Sequence, residues 1–472
     1  MRFLLSITLA GLYLLLTAQT PITIGQEYSI PSSILEEERP VLVYLPDDYD
    51  ENEEADYPVL YVLDGHGHFH HTTACVQFLS RNRRIPQMIV IGIPNTEDHR
   101  TRDLTPPTAQ TQNFPAAGGA DNMVSFIANE LMPWVKDHYR TADYQTIIGH
   151  SFGGLFVIHA MINHPDVFNS YLAISPSLWW DDQKLATEQT DAFFDNPHEQ
   201  SGHLYMTMGD EGGTMVGGGW KLAARLEEQA NPNFKWHYEV MEEENHGTVP
   251  YRSTRQGLEF IFADWNWDKR RRTVRELGIA GLQGYEEEVQ TLYGLPVPWD
   301  EPDLMRAAQQ HYDQGDYITA TPVYAKITEI FPESDRAWHL YGECLSLTGQ
   351  KESAITAIEQ ALQLDPDNQA AAVALQKLRA GEDGIQLSAA ELEVYVGSYD
   401  LSAVGMVIHL SSTGEKLQVH TDQSTHEDLY PLGNHQFFLT TREAKLTFTI
   451  SDGKATRVDV ETPEGNFGGE KQ

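Results

Sequence analysis

The sequence predicts an α/β domain with a mostly parallel sheet, followed by an all-α segment and a small antiparallel β domain. Three observations carry this prediction: apolar runs that alternate with amphipathic stretches, a 34-residue repeat, and a final series of short alternating runs. The chain has 472 residues, enough for about three domains at roughly 150 residues per domain.

The first domain is predicted over residues 26–267, where short apolar runs read as buried strands. These runs are VLVYL at 41–45, VLYVL at 59–63, MIVIGI at 88–93, QTIIG at 145–149, YLAIS at 171–175 and HLYMTM at 203–208. Helical patterns lie between or after them at 121–139, 154–163, 220–229 and 256–265. Alternation of buried strands with helices is typical of a parallel sheet that is covered on both faces.

The second domain is predicted over residues 302–380, where the chain repeats. Gly315 and Gly349 are 34 residues apart, and each falls in a turn between two helical patterns. A 34-residue period with Gly in the turn, Ala in the second helix and Pro at its end is the tetratricopeptide signature. We expect two repeats and a solvating helix at 369–380.

The third domain is predicted over residues 387–470. Its short alternating runs, such as MVIHL and KLTFTI, are separated by turn signals such as SSTGE and SDGK. This pattern predicts an antiparallel β module. The residues at 268–301, which begin with the charged run DKRRR of 268–272, are predicted to be a linker between the first two domains.

The first 19 residues predict a signal peptide, with Arg2 before an apolar run and a polar stretch after it. The apolar run is shorter than the ~20 residues that span a membrane comfortably. We therefore expect cleavage, export to a periplasm or the extracellular space, and no stable membrane association of the mature protein.

The composition excludes two classes of function. The formal net charge of −37 repels phosphate backbones, so nucleic-acid binding is not expected. The two cysteines, Cys75 and Cys344, cannot form a disulfide framework or a cysteine-based zinc site. Both are expected to be unpaired, buried and apolar in behaviour.

The first domain contains the pattern G-x-S-x-G at Gly149–Gly153, with Ser151 at its centre. A strand-like run precedes it and a helix-like run follows it, which is the setting of a nucleophile elbow. The glycines fit because the Ser sits on a sharp, strained turn at which nearby Cβ atoms would clash. Ser151 is therefore the predicted nucleophile.

A serine hydroxyl needs a base, and the base needs a carboxylate to orient it. His246 is the predicted base because it follows the last strand-like run and precedes a helix. Asp210 and Glu211 end an earlier strand, and either could orient His246, although adjacent side chains point in different directions. Glu211 is preferred, with Asp210 as the alternative.

An oxyanion hole needs two backbone N–H donors. One is predicted at Phe152, the residue after the nucleophile. The other is predicted in the Asp-Gly turn after the strand VLYVL. Gly65 permits this turn, so the amide of His66 is preferred, with Gly65 as the alternative.

Six motifs together resemble the esterase D and enterochelin-esterase-like branch of the α/β-hydrolases. They are RPVLVYLPDDYD, YPVLYVLDG, IPNTEDHRTRDLTPP, GHSFGG, ISPSLWW and ENHGTVPY, in this order. The resemblance covers about residues 28–265 and implies an α/β-hydrolase fold with a Ser-His pair and an acidic third member. This family includes esterases of siderophore lactones, acylated sugars, feruloyl groups and glutathione thioesters.

Several further residues have two interpretations each. Arg102, with Arg100 and Asp103, is either part of a salt-bridged brace or part of a rim that orients a polar substrate group. Trp179 and Trp180 are either an aromatic wall for the acyl group or a packed loop. The histidine cluster GHGHFHH at 65–71 has no carboxylate pattern beside it, so neither a metal nor another cofactor is predicted.

The sequence favours an exported serine carboxylic-ester hydrolase that forms an acyl-enzyme on a small ester, lactone or acylated sugar. One alternative is a non-catalytic scaffold whose tetratricopeptide repeats recruit a protein partner. The other is an acyltransferase that uses the same three residues. A complete set of nucleophile, base and acid argues against the scaffold.

Overall fold

The computed structural model describes residues 22–472 except 52, 54, 98, 109–111, 196–201, 298, 380–385, 423, 440–443, 463 and 464. The predicted signal peptide at 1–19 lies outside the described residues. The chain divides into two compact units. One runs to Arg270 and includes Glu286–Val297, and the other holds Arg271–Tyr285 and Pro298–Gln472.

The first unit is built on an eight-stranded sheet. Its strands are β1 (Gln26–Ser32), β2 (Glu37–Tyr44), β3 (Tyr57–Leu63), β4 (Ile89–Ile93), β5 (Thr141–His150), β6 (Ser170–Ile174), β7 (Gly202–Gly209) and β8 (Phe234–Met241). They lie in the order β1-β2-β4-β3-β5-β6-β7-β8, with β1 and β2 antiparallel to their neighbours and the rest parallel. The predicted, mostly parallel sheet is confirmed.

Helices cover this sheet in two groups. They are α1 (Gly65–Arg81), α2 (Arg100–Leu104), α3 (Ala120–Phe126), α4 (Met132–His138), α5 (Phe152–Asn163), α6 (Thr190–Asp195), α7 (Gly213–Gln229) and α8 (Val249–Ile261). A π-helical turn, Ile127–Leu131, joins α3 to α4, and 3₁₀ turns lie at Trp180–Ala186 and Ala263–Trp265. Helix α1 packs on α8, and α5 packs on α2, α3 and α6.

The helical region begins with α9 (Trp267–Tyr293), which includes most of the residues predicted as a linker; its helical backbone is broken at Gly278, where φ is 57°. The repeats follow as α10 (Glu301–Asp313), α11 (Tyr317–Ile330), α12 (Asp335–Leu347), α13 (Lys351–Leu364) and α14 (Gln369–Arg379). Ala320 and Ala354, 34 residues apart, are completely buried. Small side chains at these positions allow neighbouring helices to approach closely, and the predicted repeats are confirmed.

The last region is a short helix, α15 (Ala389–Leu392), followed by eight strands. They are β9 (Gly397–Leu401), β10 (Met406–Ser412), β11 (Leu417–His420), β12 (Glu427–Gly433), β13 (Gln436–Leu439), β14 (Ala444–Ser451), β15 (Lys454–Thr462) and β16 (Gly465–Lys471), with a 3₁₀ turn at Ser402–Val404. Every neighbouring pair is antiparallel, and β9 pairs with both β10 and β16. The antiparallel module is therefore a closed barrel.

Within the part of the chain that the structure describes, no helix has both the length and the apolar character needed to cross a membrane. Cys75 and Cys344 are buried and unpaired, as expected. Burial raises the pKa of Cys75 to about 11 and that of Cys344 to about 12, so both thiols stay protonated at neutral pH.

Candidate active site

The predicted site residues follow four strands that run in the same direction. Ser151 follows β5, Glu211 follows β7, His246 follows β8, and Gly65 and His66 follow β3. Because the carboxyl ends of parallel strands meet at one edge of a sheet, these segments share that edge. This is the edge at which α/β proteins commonly bind ligands.

Ser151 occupies a strained turn between β5 and α5, with φ 61° and ψ −116°. Its amide donates to the carbonyl of Ile174 at 3.0 Å, which ties the turn to β6. A Cβ at Gly149 would lie 2.3 Å from the carbonyl oxygen of Gly153, so only glycine fits there. The Ser151 hydroxyl lies 3.5 Å from the hydroxyl of Ser177. Strain of this kind, at a strand-to-helix turn, is the geometry of a nucleophile elbow.

Glu211 holds the His246 imidazole. Its Oε2 lies 2.8 Å from His246 Nδ1, while Oε1 accepts hydrogen bonds from the Ser175 hydroxyl at 2.6 Å and the Gly209 amide at 3.2 Å. Asp210, by contrast, has an exposed side chain. The structure therefore brings Glu211, rather than Asp210, to His246.

His246 packs on His150, the residue before Ser151. Their ring centroids are 4.5 Å apart, and among the described residues the structure records no hydrogen bond between His246 and Ser151. Burial, and then the neighbouring His246 and His68 imidazoles, lower the pKa of His150 to about 3. A neutral His150 therefore does not repel a proton that arrives on His246.

Buried neutral histidines make the stability of the first unit dependent on pH. Burial lowers the pKa of His203 to about 4 and that of His150 to about 3, whereas an unfolded histidine titrates near 6.5. Below pH 6.5 these histidines bind protons in the unfolded chain but stay neutral in the folded chain. The free energy of unfolding therefore decreases as the pH falls towards 4. Between pH 6.5 and pH 5 the loss is at most about 2 kcal/mol for each fully shifted group.

We expect the His203→Gln variant to lose less stability than wild type between pH 7 and pH 5. Its Tm and that of wild type would be measured by circular dichroism across this range. The difference between the two pH profiles isolates His203 from the general effect of neutralising an acidic chain. Parallel profiles would contradict the assignment of His203 as a buried neutral group.

Two helix N-termini meet beside the elbow. Phe152 is the first residue of α5, and Gly65 and His66 are the first two residues of α1. Amides at these positions have no acceptor within their own helix. A Cβ at Gly153 would lie 3.3 Å from Oδ2 of Asp64, the residue before α1, so the two helix starts are adjacent. His66 and Gly65 both remain predictions for the second oxyanion donor.

Asp64 fixes Arg100 against the elbow. Its Oδ1 accepts from Arg100 Nε at 2.6 Å and from Asn95 Nδ2 at 2.6 Å, and its Oδ2 accepts from Arg100 at 2.9 Å. The Arg100 guanidinium lies 5.5 Å from the centre of the Phe152 ring. A cation held in this way lies beside the turn that carries the nucleophile.

Arg102 belongs to a different, more buried network. Its guanidinium donates to Glu37 at 2.8 Å and to Asp103 at 2.7 Å, and Asp103 also accepts from the fully buried Arg39 at 2.8 Å. Burial alone would raise the pKa of Glu37, but hydrogen bonds from Arg102 and Arg39 lower it to about 2. This geometry is that of a brace between β2 and α2.

Replacing Asp103 by alanine is expected to lower the free energy of unfolding by about 1.5–3 kcal/mol, the scale of a lost hydrogen bond to a charged group, because Arg39 still pairs with Glu37 at 2.7 Å. Urea unfolding of both proteins measures this. Asp47→Ala is the matched control, because Asp47 pairs with Arg81 at the surface, where ion pairs contribute little. Equal losses in the two variants would show that the network is not a stabilising brace.

An aromatic cluster lies beside the elbow. The Phe152 ring is 6.0 Å from Trp179 and 5.6 Å from Trp180, and Phe114 lies 6.1 Å and 4.8 Å from the same two rings. Trp180 is buried and donates from Nε1 to the carbonyl of Pro106 at 3.2 Å. Trp179 is only partly buried, so of the two predicted tryptophans it has the more accessible ring.

One group of three described residues could hold a metal ion. The ligand atoms of Asp121, His159 and His164 all lie within 4.8 Å of one another. Nε2 of each histidine is 2.8 Å from the same oxygen of Asp121, which is also the geometry of two imidazoles hydrogen-bonded to one carboxylate. These residues belong to α3, α5 and the loop after α5.

Sequence reasoning did not assign roles to Ser175, Ser177, Asp64 or His150. All four lie at or just after the carboxyl ends of β3, β5 and β6, and Ser175 and Ser177 fall inside the motif ISPSLWW. A survey of every polar residue at these strand ends would have found them.

Comparison with known proteins supports the predicted resemblance of the first domain to esterases. Residues 32–256 match a family described as "Putative esterase", and the relatives include siderophore esterases, as the six motifs predicted. Residues 311–378 match a tetratricopeptide repeat, and residues 382–472 match a domain family of unknown function.

Two curated proteins and one solved structure illustrate the similarity. The ferri-bacillibactin esterase BesA of Bacillus subtilis is 37% identical over 156 residues, which cover 29% of this chain and 54% of that protein. The siderophore enterobactin esterase of Emericella nidulans is 35% identical over 150 residues, 27% of this chain and 49% of that protein. The chain thus spans about half the length of these relatives.

The solved structure shows the fold alone. It is an IroE-like serine hydrolase from Shewanella oneidensis, with a TM-score of 0.54 and 24% identity. The alignment covers 65% of this chain and 99% of that chain. This likeness confirms the predicted α/β-hydrolase fold.

Proposed function

We propose that this chain is an exported serine carboxylic-ester hydrolase. The observation that carries the proposal is the presentation, at one sheet edge, of a strained Ser151 elbow and a His246 whose Nδ1 is held by Glu211. With Nδ1 engaged, Nε2 is the imidazole nitrogen left for the proton of Ser151. The similarity to siderophore esterases supports the same class of reaction.

The reaction proceeds through an acyl-enzyme. Ser151 Oγ attacks the ester carbonyl carbon while His246 takes the hydroxyl proton, and His246 then gives that proton to the departing alcohol. The amides of Phe152 and of His66 or Gly65 donate to the oxyanion. Water then attacks the acyl-enzyme, again with His246 as the base, and releases the acid and Ser151.

The substrate is a small ester, lactone or acylated sugar, and an aromatic substituent suits the site best. Trp179, Phe114 and Phe152 place three partly buried rings beside the elbow, and Arg100 lies over one of them. Such rings stack on a flat aromatic group. The relatives described above are esterases of siderophores, which supports a siderophore ester such as enterobactin as the substrate.

The function is tested by turnover of enterobactin, p-nitrophenyl benzoate and p-nitrophenyl acetate. We expect wild type to hydrolyse all three and Trp179→Ala to lose about 3- to 10-fold in kcat/KM for the two aromatic substrates, from lost ring stacking. The acetate ester serves as the internal control and should change less than twofold. No turnover of any ester by folded wild type would refute the proposal.

Export and partner binding are also part of the proposal. The sequence of residues 1–19 supports cleavage and release to a periplasm or the extracellular space. The repeats at 311–378 support binding of a protein partner. N-terminal sequencing of the secreted protein tests the first point, and a mature chain that still begins at Met1 would contradict it.

A further inference from the structure

The C-terminal barrel encloses a cavity. Strands β9–β16 form a closed antiparallel meander, and inward-facing residues of its strands line a space of about 470 Å³. The apolar part of the lining includes Leu401, Ile408, Val419, Leu446, Val460 and Phe467. Small-molecule sites commonly have about 300–1,000 Å³, and an eight-stranded barrel is just wide enough to hold one small ligand.

One end of the barrel is closed by side chains. Rings of Tyr395, Phe437 and Phe448 pack within 4.7–5.7 Å of one another, and Tyr399 packs on Phe448 at 5.6 Å. The segment after α15 is tied across this end, because the Ala455 amide donates to the carbonyl of Val394 at 3.0 Å. This end has the dense packing of an ordinary core.

The other end carries the cavity. The β9–β10 and β11–β12 turns lie there, and their residues Val404, Met406, Thr421 and Ser424 belong to the cavity lining. Val404 is 41% exposed and Met406 is 38% exposed, which is unusual for large apolar side chains in the described part of the barrel. A cavity at one end of a barrel, with apolar side chains exposed at its opening, is typical of a ligand-binding site rather than of a packed core.

Polar groups in the lining define the chemistry of the ligand. The Glu427 side chain faces the cavity, because Glu427 pairs across the strands with Val419, whose side chain lines the cavity. The next residue of β11, His420, pairs with His409 on the outer face of the barrel. A carboxylate accepts hydrogen bonds and repels anions.

We propose that the barrel binds an uncharged, mainly apolar small molecule whose polar end carries hydrogen-bond donors such as hydroxyl groups. The apolar body fills the space between the strands, and the donors reach Glu427. The proposal concerns the domain family of unknown function at 382–472 and does not rest on the activity of the esterase domain.

The binding test uses the full mature chain and N-phenyl-1-naphthylamine, an uncharged aromatic probe whose fluorescence rises in apolar surroundings. We expect saturable, one-site binding to wild type. Ala444→Phe fills the cavity from β14 and should weaken binding at least tenfold. Thr449→Phe is the matched control, because it adds the same ring to an exposed position of the same strand.

Competition tests the polar end of the ligand. We expect 1-decanol to displace the probe at a concentration at least tenfold lower than decanoate, and Glu427→Gln to reduce this difference. If Ala444→Phe lowers the Tm of the protein, Met406→Trp replaces it, because a partly exposed position at the mouth accepts a larger side chain.

Three results would overturn the proposal. The first is a lack of saturable binding to wild type. The second is equal affinity of the probe for wild type and for the cavity-filling variants, which would show that the probe binds elsewhere on the chain. The third is displacement by decanoate at the same concentration as by 1-decanol.

Discussion

Replacing Ser151 by alanine is expected to reduce kcat/KM for p-nitrophenyl acetate by about 10⁴-fold or more, since no other group would form the acyl-enzyme. The residual rate would come from the oxyanion donors and substrate binding alone. The Tm should change little, because the hydroxyl makes one long contact, 3.5 Å to Ser177. The measurement is steady-state kinetics beside thermal unfolding of both proteins.

Ser177→Ala is the matched control for this variant. It removes a hydroxyl from the same pocket, 3.5 Å from Ser151, without removing the nucleophile. We expect its rate to stay within about tenfold of wild type, which is the scale of one lost hydrogen bond. Equal losses in the two variants would mean that Ser151 acts as a polar pocket residue rather than as the nucleophile.

Replacing Glu211 by glutamine is expected to lower kcat by about 10²- to 10⁴-fold, because an uncharged acceptor neither stabilises the imidazolium nor selects the required tautomer. Asp210→Asn should change kcat less than twofold, since the Asp210 side chain is exposed and Glu211 is the partner of His246. Steady-state kinetics of the two adjacent variants measure this contrast.

Thermal unfolding controls for a loss of stability in Glu211→Gln, because the Glu211 carboxylate also accepts hydrogen bonds from Ser175 and Gly209. The Tm of Glu211→Gln is compared with that of Ser175→Ala, which removes one of these hydrogen bonds. If Glu211→Gln and Asp210→Asn cause equal, mild losses of kcat, the site functions as a Ser-His pair without a third member.

Local rules account for the parts of the site that the sequence predicted. Ser151 lies between an apolar strand and an apolar helix, and its glycine spacing reflects clashes within a few residues. The repeats were predictable for the same reason, since their 34-residue period is visible in the sequence itself. The divergence of adjacent side chains predicted that only one of Asp210 and Glu211 would reach His246, but it did not select between them.

The remaining features depend on contacts between distant segments. Asp64 meets Arg100 and Asn95, and Ser175 meets Glu211, only after the strands are ordered. Helix α1 was not predicted, because its histidine-rich start lacks a clear apolar stripe. Strands β12 and β16 are polar or glycine-rich, so the alternation of residues did not reveal that the barrel closes.

The most direct test of the proposed mechanism is labelling of the purified mature protein with a fluorophosphonate, followed by mass spectrometry of its peptides. An activated serine attacks phosphorus and expels fluoride, which leaves a stable adduct on its oxygen. We predict one adduct, on Ser151, in wild type and none in Ser151→Ala. An adduct on another residue, or full labelling of the alanine variant, would contradict the assignment of Ser151 as the nucleophile.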